Sequence, residues 1–252
     1  MHQVAFLCVG IYTLMSAAVG ARLVIRAIPN RHVPELLMGL AYFAAPGLGY
    51  PLVVVGSALL EQVAGLLMFG IGQSLIVLGC TCFFFFNARV FRPKAVLAQS
   101  AASVGAILLA ISGSEIVRAH MALGSGALGI ASVRTASETM LVVLGLAYAW
   151  TAYEGFRHNR MMRRRARVGL GDPVVANRFL LWAVAGSLQV ISDVVAAWSL
   201  YGGGNMTADA APLLATSLAG IVNSVLLVLI FVPPARYTRW LMRDPNGALA
   251  AV

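Results

Sequence analysis

Seven stretches of this chain run for more than twenty residues with no more than two charged side chains each: 4–25, 35–58, 63–86, 96–117, 136–156, 177–200 and 211–232. A helix rises 1.5 Å per residue, so about twenty apolar residues cross a hydrocarbon layer ~30 Å thick. Backbone in lipid finds no water, and a lone segment can satisfy its own N–H and C=O groups only as a helix. The two-residue alternation of a membrane β-barrel is absent. The sequence therefore predicts an all-α integral membrane bundle of seven transmembrane helices over residues 1–232, with a tail at 233–252. Composition agrees: 60% of residues are hydrophobic and 11% charged, against about 45–50% and 25% in a soluble domain.

The cations are distributed unevenly. Arg22, Arg26 and Arg31 follow the first run, and Arg89, Arg92 and Lys94 follow the third. Arg157, Arg160, Arg163, Arg164, Arg165, Arg167 and Arg178 separate the fifth from the sixth, and Arg236, Arg239 and Arg243 lie in the tail. The alternate connections hold only Arg118 and Arg134. Cytoplasmic loops collect Arg and Lys, so this split predicts an external N-terminus and a cytoplasmic C-terminus in a bacterial inner membrane. Ser16-Ala17-Ala18 resembles a signal-peptidase site, but a signal peptide carries positive charge ahead of its apolar stretch, whereas here the arginines follow it. The first run is expected to stay as a helix. The net charge of +9 then serves topology and lipid headgroups, and nucleic acid is not an expected partner.

Most connections read as short. Gly124, Gly126 and Gly129 suggest a flexible external 4–5 loop, Gly202-Gly203-Gly204-Asn205 an external hairpin, and Gly171-Asp172-Pro173 a turn before the sixth helix. The 157–170 segment reads as a basic cytoplasmic loop. Beyond Pro233-Pro234, Tyr237, Trp240 and Leu241 beside Arg236, Arg239 and Arg243 predict a short helix lying at the cytoplasmic interface. Pro46-Gly47-Leu48-Gly49-Tyr50-Pro51 is expected to break or kink the second helix, freeing carbonyls near Tyr50 for an ion or ligand.

Asp193 is the most informative side chain, because a carboxylate inside an apolar run should face protein or a wet cavity. Gln189 precedes it by one turn on the same face. Thr216, Ser217, Gly220, Asn223 and Ser224 form a stripe on the seventh helix, readable as packing or as a site. Asn223 needs a partner, for which Asp193 is a candidate. Gln73 is a second amide at mid-membrane depth. Asp193, Gln189, Asn223, Gln73, Tyr50 and Ser217 are thus the candidate ligand-binding set. Glu115, Arg118, Arg134 and Glu138, with His120, are expected to form a charged outer rim if the fourth and fifth helices are neighbours. Arg163, Arg164 and Arg165 would meet a cytoplasmic partner or lipid headgroups.

Other chemistry is not indicated. His2, His32, His120 and His158 are scattered, and Cys8, Cys80 and Cys82 lie in apolar runs, so no metal, haem or other cofactor is expected. Seven helices with an external N-terminus resemble rhodopsins and heptahelical receptors in topology only. A retinal Schiff base is excluded, since the last run reads Ile221-Val222-Asn223-Ser224 and the one lysine, Lys94, lies between runs. The reading is a membrane protein with a polar intramembrane pocket that senses a small molecule and signals to a cytoplasmic protein. The alternative is a small-molecule or proton-coupled transporter; a lipid enzyme lacks a nucleophile or metal cluster beside its one acid.

Overall fold

The computed structural model describes residues 2–123, 127–168, 170–204 and 209–243, and the described residues are helical with short connections. Six helical stretches are long and apolar enough to cross a membrane: Gln3–Asn30, Val33–Ala58, Val63–Phe91, Val96–Met121, Pro173–Tyr201 and Ala210–Phe231. They mark a multipass membrane protein. The fifth apolar run is different. It lies within a continuous 41-residue helix, Ala127–Arg167, that is not among the six; Glu138 and Glu154 stand near the two ends of its apolar run.

In chain order the helices are α1 (His2–Asn30), α2 (Val33–Tyr42), α3 (Tyr50–Ala58), α4 (Val63–Phe91), α5 (Val96–Leu123), α6 (Ala127–Arg167), α7 (Pro173–Tyr201), α8 (Ala210–Phe231) and α9 (Ala235–Arg243). A π-helical segment, Phe43–Gly49, joins α2 to α3, so these form one long element. The long elements close a ring in sequence order. Each packs on its chain neighbours, α8 returns to α1, and α4 also touches α6 across the interior. Sequential neighbours follow from the short connections.

The second element, expected to break or kink, stays helical throughout, with a π segment at its first proline. Proline lacks an N–H and its ring crowds the carbonyl four residues back. Pro46 sits inside the π segment, where the wider turn absorbs that clash. Tyr50 donates its N–H to the Ala45 carbonyl, so that carbonyl is taken up in the helix. Glycines let this element lie directly on its neighbours. A Cβ on Gly49 would stand 2.8 Å from the Gly72 oxygen, and one on Gly72 would stand 2.8 Å from the Gly49 oxygen. Small residues at such crossings are how lipid-embedded helices gain packing energy, since lipid offers no hydrophobic drive between helices.

Connections are shorter than the sequence reading allows. Helix α6 continues through Arg167, so Arg157, Arg160 and Arg163–Arg165 lie on a helix, and the basic loop shrinks to a few residues. Helix α5 likewise extends to Leu123 and α6 starts at Ala127. Gly124 and Gly126, Asn205 and the tail beyond Arg243 lie outside the described residues. Asp172 caps α7 by accepting the Val174 N–H at 2.8 Å, with Pro173 at the first turn. The expected tail helix is α9. It packs on α7, with Asn177 Nδ2 donating to the Tyr237 hydroxyl and Leu241 buried.

Apolar side chains face outward as well as inward. Val142 and Leu146 on α6 are 62% and 65% exposed, and Leu67, Ile71, Ile107, Ile111, Ile191, Val194 and Trp198 are also exposed. Water does not wet such a surface cheaply; lipid does.

Candidate functional site

The interior divides into a packed half and an open half. In the packed half, near the α4–α5 and α6–α7 connections, aromatic rings fill the ring of helices. Phe86 meets Trp182 at 4.9 Å between centroids, Trp182 meets Phe231 at 5.8 Å, and Phe83 meets Tyr148 at 5.0 Å. Phe86 is 1% exposed. Beside it Thr151 Oγ1 donates to Asn87 Oδ1 at 2.9 Å, and Asn87 Nδ2 donates to the Ala147 carbonyl at 3.3 Å. These two buried polar side chains are thereby tied within the protein, as an apolar medium requires.

The open half holds a cavity of about 330 Å³, a size typical of small-molecule pockets. It extends from Tyr148 and Cys80 at mid-bundle to Leu60, Leu200 and Gly204 at the bundle end that carries the α3–α4 and α7–α8 connections. The π segment shapes one wall, since Ala45, Pro46 and Tyr50 all line the space. The expected residues Tyr50, Gln73, Gln189 and Asp193 line it too.

Among the described lining residues Asp193 is the only acid, and neither Lys nor Arg is present. Its Oδ2 is buried and has no hydrogen-bond partner. Gln189 lies against the carboxylate and accepts from Asn223 Nδ2 at 3.3 Å through its Oε1. Asn223 therefore meets Gln189 rather than Asp193, and acts on the acid at one remove. The separation has a simple cause: Asn223 is buried in the α7–α8 contact, outside the cavity lining. Ser217 is fully buried at 0% exposure, with its Oγ unpartnered, and does not line the cavity either. Its neighbours on the stripe pair with other helices: Thr216 accepts from Ser192 at 3.2 Å, and the Ser224 and Ser16 hydroxyls stand 3.3 Å apart. Gln73 is 5% exposed and donates to Met140 Sδ at 3.3 Å.

The expected outer rim resolves into local pairs. Arg118 bonds Glu115 at 2.6 Å on α5, and Arg134 bonds Glu138 at 2.8 Å on α6. Each cation takes the acid three or four residues away on its own helix, the nearest available partner. Arg134 also stacks over the Tyr201 ring at 5.4 Å. Of this group only His120 lines the cavity, with its ring 4.3 Å from Phe69. Arg164 and Arg165 lie far along α6, beside a groove that also takes in Tyr153 and Phe156, and Arg163 is half-buried there.

Several contributors escape the sequence reading. Tyr12, Tyr148 and Cys80 line the cavity, and none of them belongs to the expected ligand-binding set. Glu154 is 2% exposed and gathers Arg92 at 2.7 Å, Arg157 at 3.3 Å and His158 at 3.5 Å. Its spacing to Arg157 and His158, three and four residues on, was a usable signal. Among the described residues no group of three His, Cys, Asp or Glu side chains could hold a metal ion. No protein-family model, curated protein or solved structure matches this chain.

Proposed function

We propose that the chain is a seven-span membrane receptor whose cavity binds a small molecule, with the N-terminus outside and α9 in the cytoplasm. Support for the seventh span comes from α6 itself. Its mid-length outer face is apolar at Val142 and Leu146, while Glu154 is buried and ion-paired. Its place in the ring lies between α5 and α7, two helices apolar enough to span. The orientation rests on the positive-inside bias of the loops, in a bacterial inner membrane. It sets the cavity end outward and the arginine-rich end of α6 inward.

The observation that carries the binding reading is the internal cavity around one unpartnered carboxylate oxygen. Evolution seldom tolerates a buried acid without use, because it is costly in lipid. Binding is favoured over transport by the aromatic layer of Phe86, Trp182 and Phe231, which closes the other half of the bundle. Signalling would pass through α6, which runs unbroken from the cavity wall at Ser137 and Met140 to Arg163, Arg164 and Arg165. Those arginines are the proposed contact for a cytoplasmic protein, with headgroups of anionic lipids as neighbours.

Native mass spectrometry of purified wild type beside Asp193→Asn tests the reading. The expected result is a non-lipid small molecule released from wild type and absent from the variant. Lipid alone on both proteins would count against a pocket ligand.

A further inference from the structure

We infer that the cavity takes an organic amine, its ammonium group held at Asp193 and its apolar body laid against the aromatic wall. The inference rests on the ligand-binding reading and names the class of ligand. The charge in the lining is one-sided: among the described lining residues Asp193 is the one acid, and no Lys or Arg is present. A carboxylate or phosphate ligand would find no cation to meet it and would be repelled by that acid.

One oxygen of the carboxylate also lacks donors. An ionised carboxylate accepts at about four lone-pair sites, and the buried Oδ2 has none filled. A neutral alcohol brings one O–H, whereas an ammonium brings three N–H donors and the compensating charge. Aromatic faces complete the match. Tyr12 and Tyr148 lie within electrostatic reach of Asp193, Tyr12 and Tyr50 pack with centroids 6.0 Å apart, and tyrosine rings attract cations within about 6 Å. An inorganic cation fits less well: Asp193 is the one carboxylate among the described lining residues, whereas a hard cation gathers several oxygen ligands, usually more than one of them charged.

The test uses the full-length protein in detergent micelles, with phenethylamine and 2-phenylethanol as probes. The two share one apolar body and differ in the ammonium group. Binding is read by calorimetry and by the shift in melting temperature. Phenethylamine should bind wild type on the order of thirtyfold tighter than the alcohol, and Asp193→Asn should remove that preference, as loss of one partner of a desolvated charge pair does. Equal binding of both probes to wild type would overturn the amine assignment and leave the pocket standing. No binding of either at millimolar concentration would overturn the amine assignment and count against the pocket as well. If Asp193→Asn does not fold, the amine-against-alcohol comparison on wild type decides the matter alone.

Discussion

Gly72→Leu is expected to abolish recovery of folded protein, while Gly70→Leu, two residues away on the same helix, is expected to be tolerated. Both substitutions add the same apolar atoms at similar depth, so hydropathy cannot separate them. The geometry does. A Cβ at Gly72 would stand 2.8 Å from the Gly49 oxygen and from the Val53 nitrogen, both backbone atoms that cannot swing aside. At Gly70 the nearest atoms are the ends of Val117 and Met121, at 3.7 and 3.8 Å. Overpacking a fitted core costs about 1–3 kcal/mol, more where the backbone must move. Here helices α3 and α4 would have to part along the crossing that also sets the cavity wall at Val53, Phe69 and Gln73. Fluorescence-detected size exclusion of the two variants in detergent gives the comparison. A monodisperse Gly72→Leu of wild-type melting temperature would mean that the α3–α4 approach is not as close as described.

The second large effect concerns Glu154. The acid is almost wholly buried, whereas Arg92 and Arg157 are 41% and 53% exposed. The asymmetry decides which partner matters more. Removing the acid frees two arginines that can turn toward water or headgroups. Removing Arg92 leaves a buried carboxylate with only Arg157 at 3.3 Å and His158 at 3.5 Å. Stranding a buried charge costs about 3–5 kcal/mol where pairing is complete, and the half-exposed arginine lowers that to roughly 2–3 kcal/mol. Arg92→Leu should therefore destabilise more than Glu154→Leu, and the double variant should be more stable than Arg92→Leu alone. Thermal unfolding of the three proteins yields the ordering. A double variant no better than Arg92→Leu would show that the arginine acts through something other than this pair.

Much of the architecture is legible in the sequence, and the limits have physical causes. Run length and charge found the apolar elements, including the one that the second element's prolines seemed to interrupt. The loops read too long because helices in this chain continue past the apolar stretch: α6 carries its arginines on a further helical portion up to Arg167. The site was half legible. Asp193 and Gln189 stand out because polar side chains inside apolar runs are costly. Tyr12, Tyr148 and Cys80 do not, because lipid-facing and core-facing positions are both apolar, and the amphipathic signal that sets helix rotation in water is missing. Asn223 was drawn to the wrong partner for a related reason: without that rotation, Asp193 and Gln189 one turn apart are equal candidates.

Whether α6 crosses the membrane is the point on which the rest depends, since it alone places the cavity mouth and the distal arginines on opposite sides. Cysteine labelling in intact cells addresses it, in a background where Cys8, Cys80 and Cys82 are replaced by alanine. Ser57 lines the cavity at the end of α3, and Arg165 lies near the end of α6. A membrane-impermeant maleimide should label Ser57→Cys in intact cells and Arg165→Cys only after the cells are permeabilised. Labelling of Arg165→Cys in intact cells would contradict the seventh crossing, and failure of Ser57→Cys to label would contradict an outward-opening cavity.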